Sequence, residues 1–147
     1  TENNAMQVIN EVSADPEARD AFFDSLDPNA PLVMVNLLKF KEKAEYSDDR
    51  ETSLSGGEAY NIYGEAVAKM IVALGGTRVH GGLVTNIMLG QVEELWDAVG
   101  IVEYPTPSAF RAMLESDEYQ DMHIHREAGL AGQLNISTTS PGHAANR

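Results

Sequence analysis

The chain predicts an α+β domain in which an antiparallel sheet carries its helices on one face. Three observations carry that expectation. Short runs of branched apolar residues alternate with longer segments whose apolar residues recur every three or four positions. Glycine, proline and Asp/Asn punctuate the junctions. The 147 residues include no cysteine, a length that supports one core without disulfide or metal staples.

The elements follow in order. Asp15-Pro16-Glu17 starts a helix with proline in its first turn, and Phe22, Phe23 and Leu26 keep helical spacing until Asp27-Pro28-Asn29 stops it. "PLVMVNLLKFK", 31–41, is a buried strand, and a charged loop follows it. Ser55-Gly56-Gly57-Glu58 is a capping box. Tyr60, Tyr63, Val67, Met70, Ile71 and Leu74 then form one apolar stripe, which Gly75-Gly76 ends. "TRVHGGLVTNIMLG" predicts a strand region with a bulge or bend at Gly81-Gly82. "LWDAVGIVEYP", 95–105, predicts another, closed by Pro105. "TPSAFRAMLE" starts a helix with Phe110, Met113 and Leu114 inward, Ser116 or Asp117 caps a second, and "QLNISTT" supplies the last strand. A helix followed by β-α-β-β-α-β is the split, ferredoxin-like pattern.

One domain is expected over residues 10–137. Residues 1–9 are expected to be a flexible start in which "TENNAM" includes residues left from expression, and 138–147 a disordered tail. With 23 acidic against 10 basic residues and a formal charge of −13, the surface repels phosphate backbones and anionic membranes. Neither nucleic acid nor membrane is expected as a partner, and a cytoplasmic location is.

The crowded stretch "SDEYQDMHIHREAGLAGQ", 116–133, invites a metal reading. At about 100° per residue, His123 and His125 point roughly 200° apart on a helix and cannot share an ion. His125 falls beside Asp121 as a surface residue. Arg126 differs, because Tyr119, Met122, Arg126 and Leu130 step by three and four and place it within the apolar stripe. Such an arginine snorkels, pairs with a carboxylate, Glu103 before Asp97, or binds an anion in a pocket. Asn36 interrupts an apolar strand, so its amide needs a cross-strand partner or a pocket role. His80, beside two glycines, is the proton-transfer candidate because its ordinary pKa lies near neutrality, against the plainer reading of a structural histidine. Trp96 and Tyr60 would supply aromatic walls. No phosphate loop, nucleophile elbow, metal quartet or dinucleotide fingerprint is present, so chemistry without metal or cofactor is expected.

The fragments "VNLLKFK", "GEAYNIYGEAV", the glycines at 75 and 76, "WDAV", "VEYPTPSAF", "SDEYQ" and "HREAGL" resemble the DUF1330 family, small bacterial proteins without an established activity, from about Asn10 to Ser137. The resemblance implies a dimeric α+β barrel, two sheets paired face to face across a twofold axis. Relatives of that architecture include heme-free monooxygenases, muconolactone isomerases and chlorite dismutases, so no one reaction follows. A homodimer is also expected because a sheet covered on one face leaves apolar residues of all four strands needing a partner. Two functions stay open. One is a cofactor-independent enzyme acting on a small aromatic or carbonyl metabolite by proton transfer, with His80 as acid or base and Asn36, Tyr60, Trp96, Glu103 and Arg126 around the ligand. The other is a non-catalytic dimeric binding or accessory protein.

Overall fold

The computed structural model describes residues 7–141. Its elements are α1 (Pro16–Asp24), β1 (Leu32–Phe40), α2 (Gly56–Ala73), β2 (Thr77–Leu83), β3 (Ala98–Tyr104), α3 (Pro107–Glu115), α4 (Asp117–Gly129) and β4 (Leu130–Thr139). The strands form one sheet in the order β2-β3-β1-β4, every neighbouring pair antiparallel. That is the ferredoxin-like arrangement preceded by an extra helix. No helix of the described residues is long and apolar enough to cross a membrane.

Local chemistry fixes the boundaries. Asp15 accepts from the Ala18 N–H at 2.8 Å, ahead of Pro16. Ser55 and Glu58 complete a reciprocal capping box. Thr106 caps α3, and Ser116 rather than Asp117 caps α4, placing two acids in its first turn. Gly75, at φ 84°, takes the left-handed conformation that ends α2. β4 starts at Leu130, three residues before the expected run, and ends with it at Thr139, so Thr138 and Thr139, counted both in that run and in the expected tail, belong to the strand. The rest of the expected tail from Gly142 on, and residues 1–6 at the other end, lie outside the described residues.

Pairing settles the faces. Leu32, Met34, Asn36 and Leu38 of β1 align with Tyr104, Val102, Gly100 and Ala98 of β3. Leu32, Met34 and Tyr104 are buried against Tyr63, Val67, Met70 and Ile71 of α2 and Tyr119 of α4, so this is the helix side. Val33, Val35 and Leu37 point the other way with Val99, Ile101 and Ile136. No helix of the described residues covers that second face. β2 departs from plain alternation: Arg78 pairs with Val102 and His80 with Ile101, so Val79 is the extra residue of a bulge. The expected irregularity at Gly81-Gly82 therefore lies further upstream.

α2 and α4 meet where glycine lets their backbones touch. A Cβ on Gly129 would collide with the Gly56 carbonyl oxygen and lie 2.9 Å from the Tyr60 nitrogen. The loop after β1 docks on this crossing through Ala44 and Tyr46, which pack on Ala59 and Ala128.

Candidate functional site

Between the sheet and the helices lies an open cleft of about 1710 Å³, reached also by residues of the N-terminal segment. Met34, Leu38, Val67, Val102, Tyr104 and Met113 supply apolar wall. The polar side is built from β1 and β4. Gln133 and Asn135 align with Leu38 and Asn36 and so point to the helix side. Asn36 donates through Nδ2 to the Gly100 carbonyl at 3.1 Å and accepts at Oδ1 from Gln133 Nε2 at 2.8 Å and from Asn135. Arg126, reaching down from α4, donates through Nη2 to Gln133 Oε1 at 2.6 Å. One chain of hydrogen bonds thus runs from the guanidinium through two amides to the backbone of β3. It satisfies the amides of Asn36 and Gln133 in an otherwise apolar layer.

Three arginines line the cleft: Arg19 pairs with Glu115 at 3.3 Å, whereas among the described residues neither Arg126 nor Arg78 stands within ion-pair distance of a carboxylate. Outside the cleft, Arg50, Arg111, Lys39 and Lys41 also have acidic partners. Arg78 lies along its own strand, where a Cβ on Gly81 would collide with its guanidinium. Tyr60 stands between α2 and the sheet, its ring 5.4 Å from Phe40 and 5.2 Å from Tyr63. Burial pushes its hydroxyl up to about 12, with the positive charges of Arg126 and Arg78 pulling against that rise. Tyr63 and Tyr119 share a buried hydroxyl pair at 2.9 Å, and burial holds Tyr63 neutral.

His123 lines the cleft one turn before Arg126, with Nδ1 3.5 Å from Glu127 Oε1. Burial and then the Arg126 charge lower its pKa, against the pull of Glu127, so the neutral ring is favoured.

Of the residues singled out in the sequence, the structure brings Asn36, Tyr60 and Arg126 together. It does not bring His80, Glu103 or Trp96 to them. His80 pairs with Ile101 on the open face and lies against Gly82, because the bulge at Val79 reverses the parity that would have kept it with Arg78. Glu103 aligns with Val33 and Thr77 on that same open face, so the sheet separates it from Arg126. Asp97, the second expected partner, accepts from the Phe40 N–H at 2.8 Å and neighbours Lys39 at 3.6 Å. The amide Gln133 takes the place expected for a carboxylate. Trp96 precedes β3, donates to Asn10 at 2.7 Å and is not among the lining residues. His125 is no bare surface residue: its Nδ1 meets the Tyr46 hydroxyl at 2.6 Å.

Sequence reasoning missed Gln133, Asn135, Arg78 and His123. Two amides alternating in "QLNIS" signalled the first pair. The spacing of three between His123 and Arg126 signalled the last. Among the described residues no group of His, Asp and Glu is arranged to hold a metal ion.

Fold and cleft define a ferredoxin-like α+β protein with an apolar chamber that carries cationic groups. The family model described as a domain of unknown function, DUF1330, matches residues 51–138, and the chain belongs to that family. That match begins well after Asn10, where the resemblance read from the sequence started. The chain is similar to the RPA0582 protein of Rhodopseudomonas palustris, itself of unknown function. It is 30% identical to it over 90% of this chain and 98% of that one, with a TM-score of 0.79. The methylated form of RPA0582 gives 32% identity, 91% and 98% coverage and the same TM-score of 0.79. SnoaB, a cofactor-independent oxygenase from Streptomyces nogalater, shares 14% identity over 76% of this chain and 93% of its own, at a TM-score of 0.48. That likeness is too remote to carry an argument about function. No curated protein matches the sequence.

Proposed function

We propose that the protein is a homodimer that binds a small organic anion in the cleft between sheet and helices. The observation that carries this reading is the pair of arginines without acidic partners, in a chain whose net charge is −13. A cation left unpaired beside apolar wall costs free energy unless something anionic arrives to meet it. Arg126 spends Nη2 on Gln133 and keeps its other donors for a ligand oxygen. Met34, Val67 and Tyr104 suit an aliphatic or aromatic body. Dimerisation is supported by the uncovered apolar face of Val33, Val35, Leu37, Val99 and Ile101.

A non-catalytic binding protein is the second reading. It is favoured by the position of His80, which removes from the cleft the one proton-transfer residue argued from sequence. The test for both is a thermal-shift series with aromatic and aliphatic carboxylates, each beside its neutral amide. The acids should raise the melting temperature of the wild type, and the amides should not. The Arg126→Met variant should lose that response. Equal effects of acids and amides would reject anion binding.

A further inference from the structure

We infer that His123, not His80, is the proton-transfer group of this protein, and that the anion in the cleft is a small acid with an enolisable carbonyl, a 2-oxo acid. The inference rests on the anion-binding reading and adds chemistry to it.

Geometry supplies the parts. His123 and Arg126 are three residues apart on α4, and such neighbours stand roughly 5–6 Å apart on one helix face. Both line the cleft. A carbonyl oxygen held by the guanidinium therefore places the adjacent carbon within reach of the imidazole. Glu127 stands 3.5 Å from Nδ1, which orients the ring and leaves Nε2 as the nitrogen for a substrate. The neutral form, favoured by burial and by Arg126, is the one that accepts a proton. Tyr119 packs on His123 at 5.8 Å between centroids. Charged and titratable groups sharing the cleft with it are Arg126 and Tyr119 on its own helix, Glu58, Tyr60, Tyr63, Glu65 and Lys69 on α2, Arg78 on β2, Tyr104 on β3, Arg19 on α1 and Glu11 ahead of it.

The step balances without a co-reactant. The C–H bond beside the carbonyl breaks, its proton goes to His123 Nε2, and its electron pair moves onto the carbonyl oxygen. Arg126 holds the resulting enolate oxygen, and its fixed charge stabilises what forms there. Return of the proton to oxygen gives the enol, and return to carbon gives the ketone. The net change is an isomerisation.

Deuterium uptake tests this. Wild type, His123→Gln and Glu127→Gln are each incubated in D2O with pyruvate, 2-oxobutyrate and phenylpyruvate, and exchange beside the carbonyl is followed by proton NMR. Binding to the same samples is read by thermal shift. We expect the wild type to accelerate exchange of at least one acid. His123→Gln should still bind that acid yet exchange it about 100-fold more slowly, the scale of a general base, and Glu127→Gln should fall between. The wild-type rate should rise with pH as His123 loses its proton and level off by neutrality, while His123→Gln shows no such step. Binding accompanied by exchange no faster than in buffer, or equally fast in His123→Gln, overturns the inference and leaves anion binding standing. If none of the three acids shifts the melting temperature of the wild type, both fall.

Discussion

Replacing Arg126 by methionine separates two roles that a buried arginine can have. Had Glu103 been its partner, losing the guanidinium would strand a carboxylate and cost roughly 3–5 kcal/mol. The partner is instead the neutral amide of Gln133, so the expected loss of folding stability is about 1 kcal/mol, the net value of one hydrogen bond. Urea denaturation checks the figure, and a loss above about 3 kcal/mol would mean that an acid depends on Arg126 after all. The histidines give a pH dependence. His123 and His125 have folded pKa values below the ordinary 6.5, the first through burial and Arg126, the second through burial and Arg50. Between the folded values and 6.5 the unfolded chain binds protons that the folded one does not. Stability is therefore full above about pH 6.5 and falls as the pH drops below it. For His125 the structural event is protonation of the ring whose Nδ1 meets the Tyr46 hydroxyl at 2.6 Å. His125→Gln keeps a hydrogen-bonding group and removes the titration, so its denaturation midpoint should fall less than that of the wild type between pH 7 and pH 5.

At the scale of elements, the crossing of α2 and α4 sets the cleft's polar end, because Tyr60 and Arg126 both stand close to it. Gly129→Ala would drive a methyl into the Gly56 carbonyl oxygen and against the Tyr60 nitrogen. We expect a loss of about 3 kcal/mol, the upper range for overpacking, and weaker ligand binding as the helices part. Gly57→Ala, whose Cβ would meet the Phe40 ring at an ordinary 3.5 Å, should be mild by comparison. Every helix and strand was legible in the sequence, since caps and apolar period are local signals. Asn36 and Arg126 were legible because each breaks an apolar pattern. Strand parity was not. Plain alternation put Arg78, His80 and Gly82 on one face, and the extra residue at Val79 moved His80 and Gly82 away from Arg78. A bulge answers to the pairing strand, here Val102 and Ile101, which a reading of one strand cannot include. The Arg126 partner failed for the same reason, since register decided that Gln133 would face it and Glu103 would not.

For the whole molecule, the uncovered sheet face decides assembly. Val35 sits at its centre, level with Ile101 on β3 and Ile136 on β4, and Ile136 is 46% exposed in the single chain. Light scattering should give twice the chain mass, and Val35→Glu should give the monomer, because a charge at the middle of such a face cannot be desolvated without a partner. A wild type that stays monomeric at micromolar concentration would rule the dimer out.

The contrast between neutralised surface cations and unpaired arginines in the cleft also has a kinetic side. An anion approaching this molecule first meets the field of its −13 net charge and feels attraction only near the chamber. Added salt screens the distant repulsion over about a Debye length, roughly 10 Å at 0.1 M. Encounter should quicken with ionic strength, while the proposed complex with Arg126 and Arg78 should also dissociate faster. Stopped-flow traces would then show both rate constants rising together, the reverse of the steering seen where a surface attracts its ligand from afar.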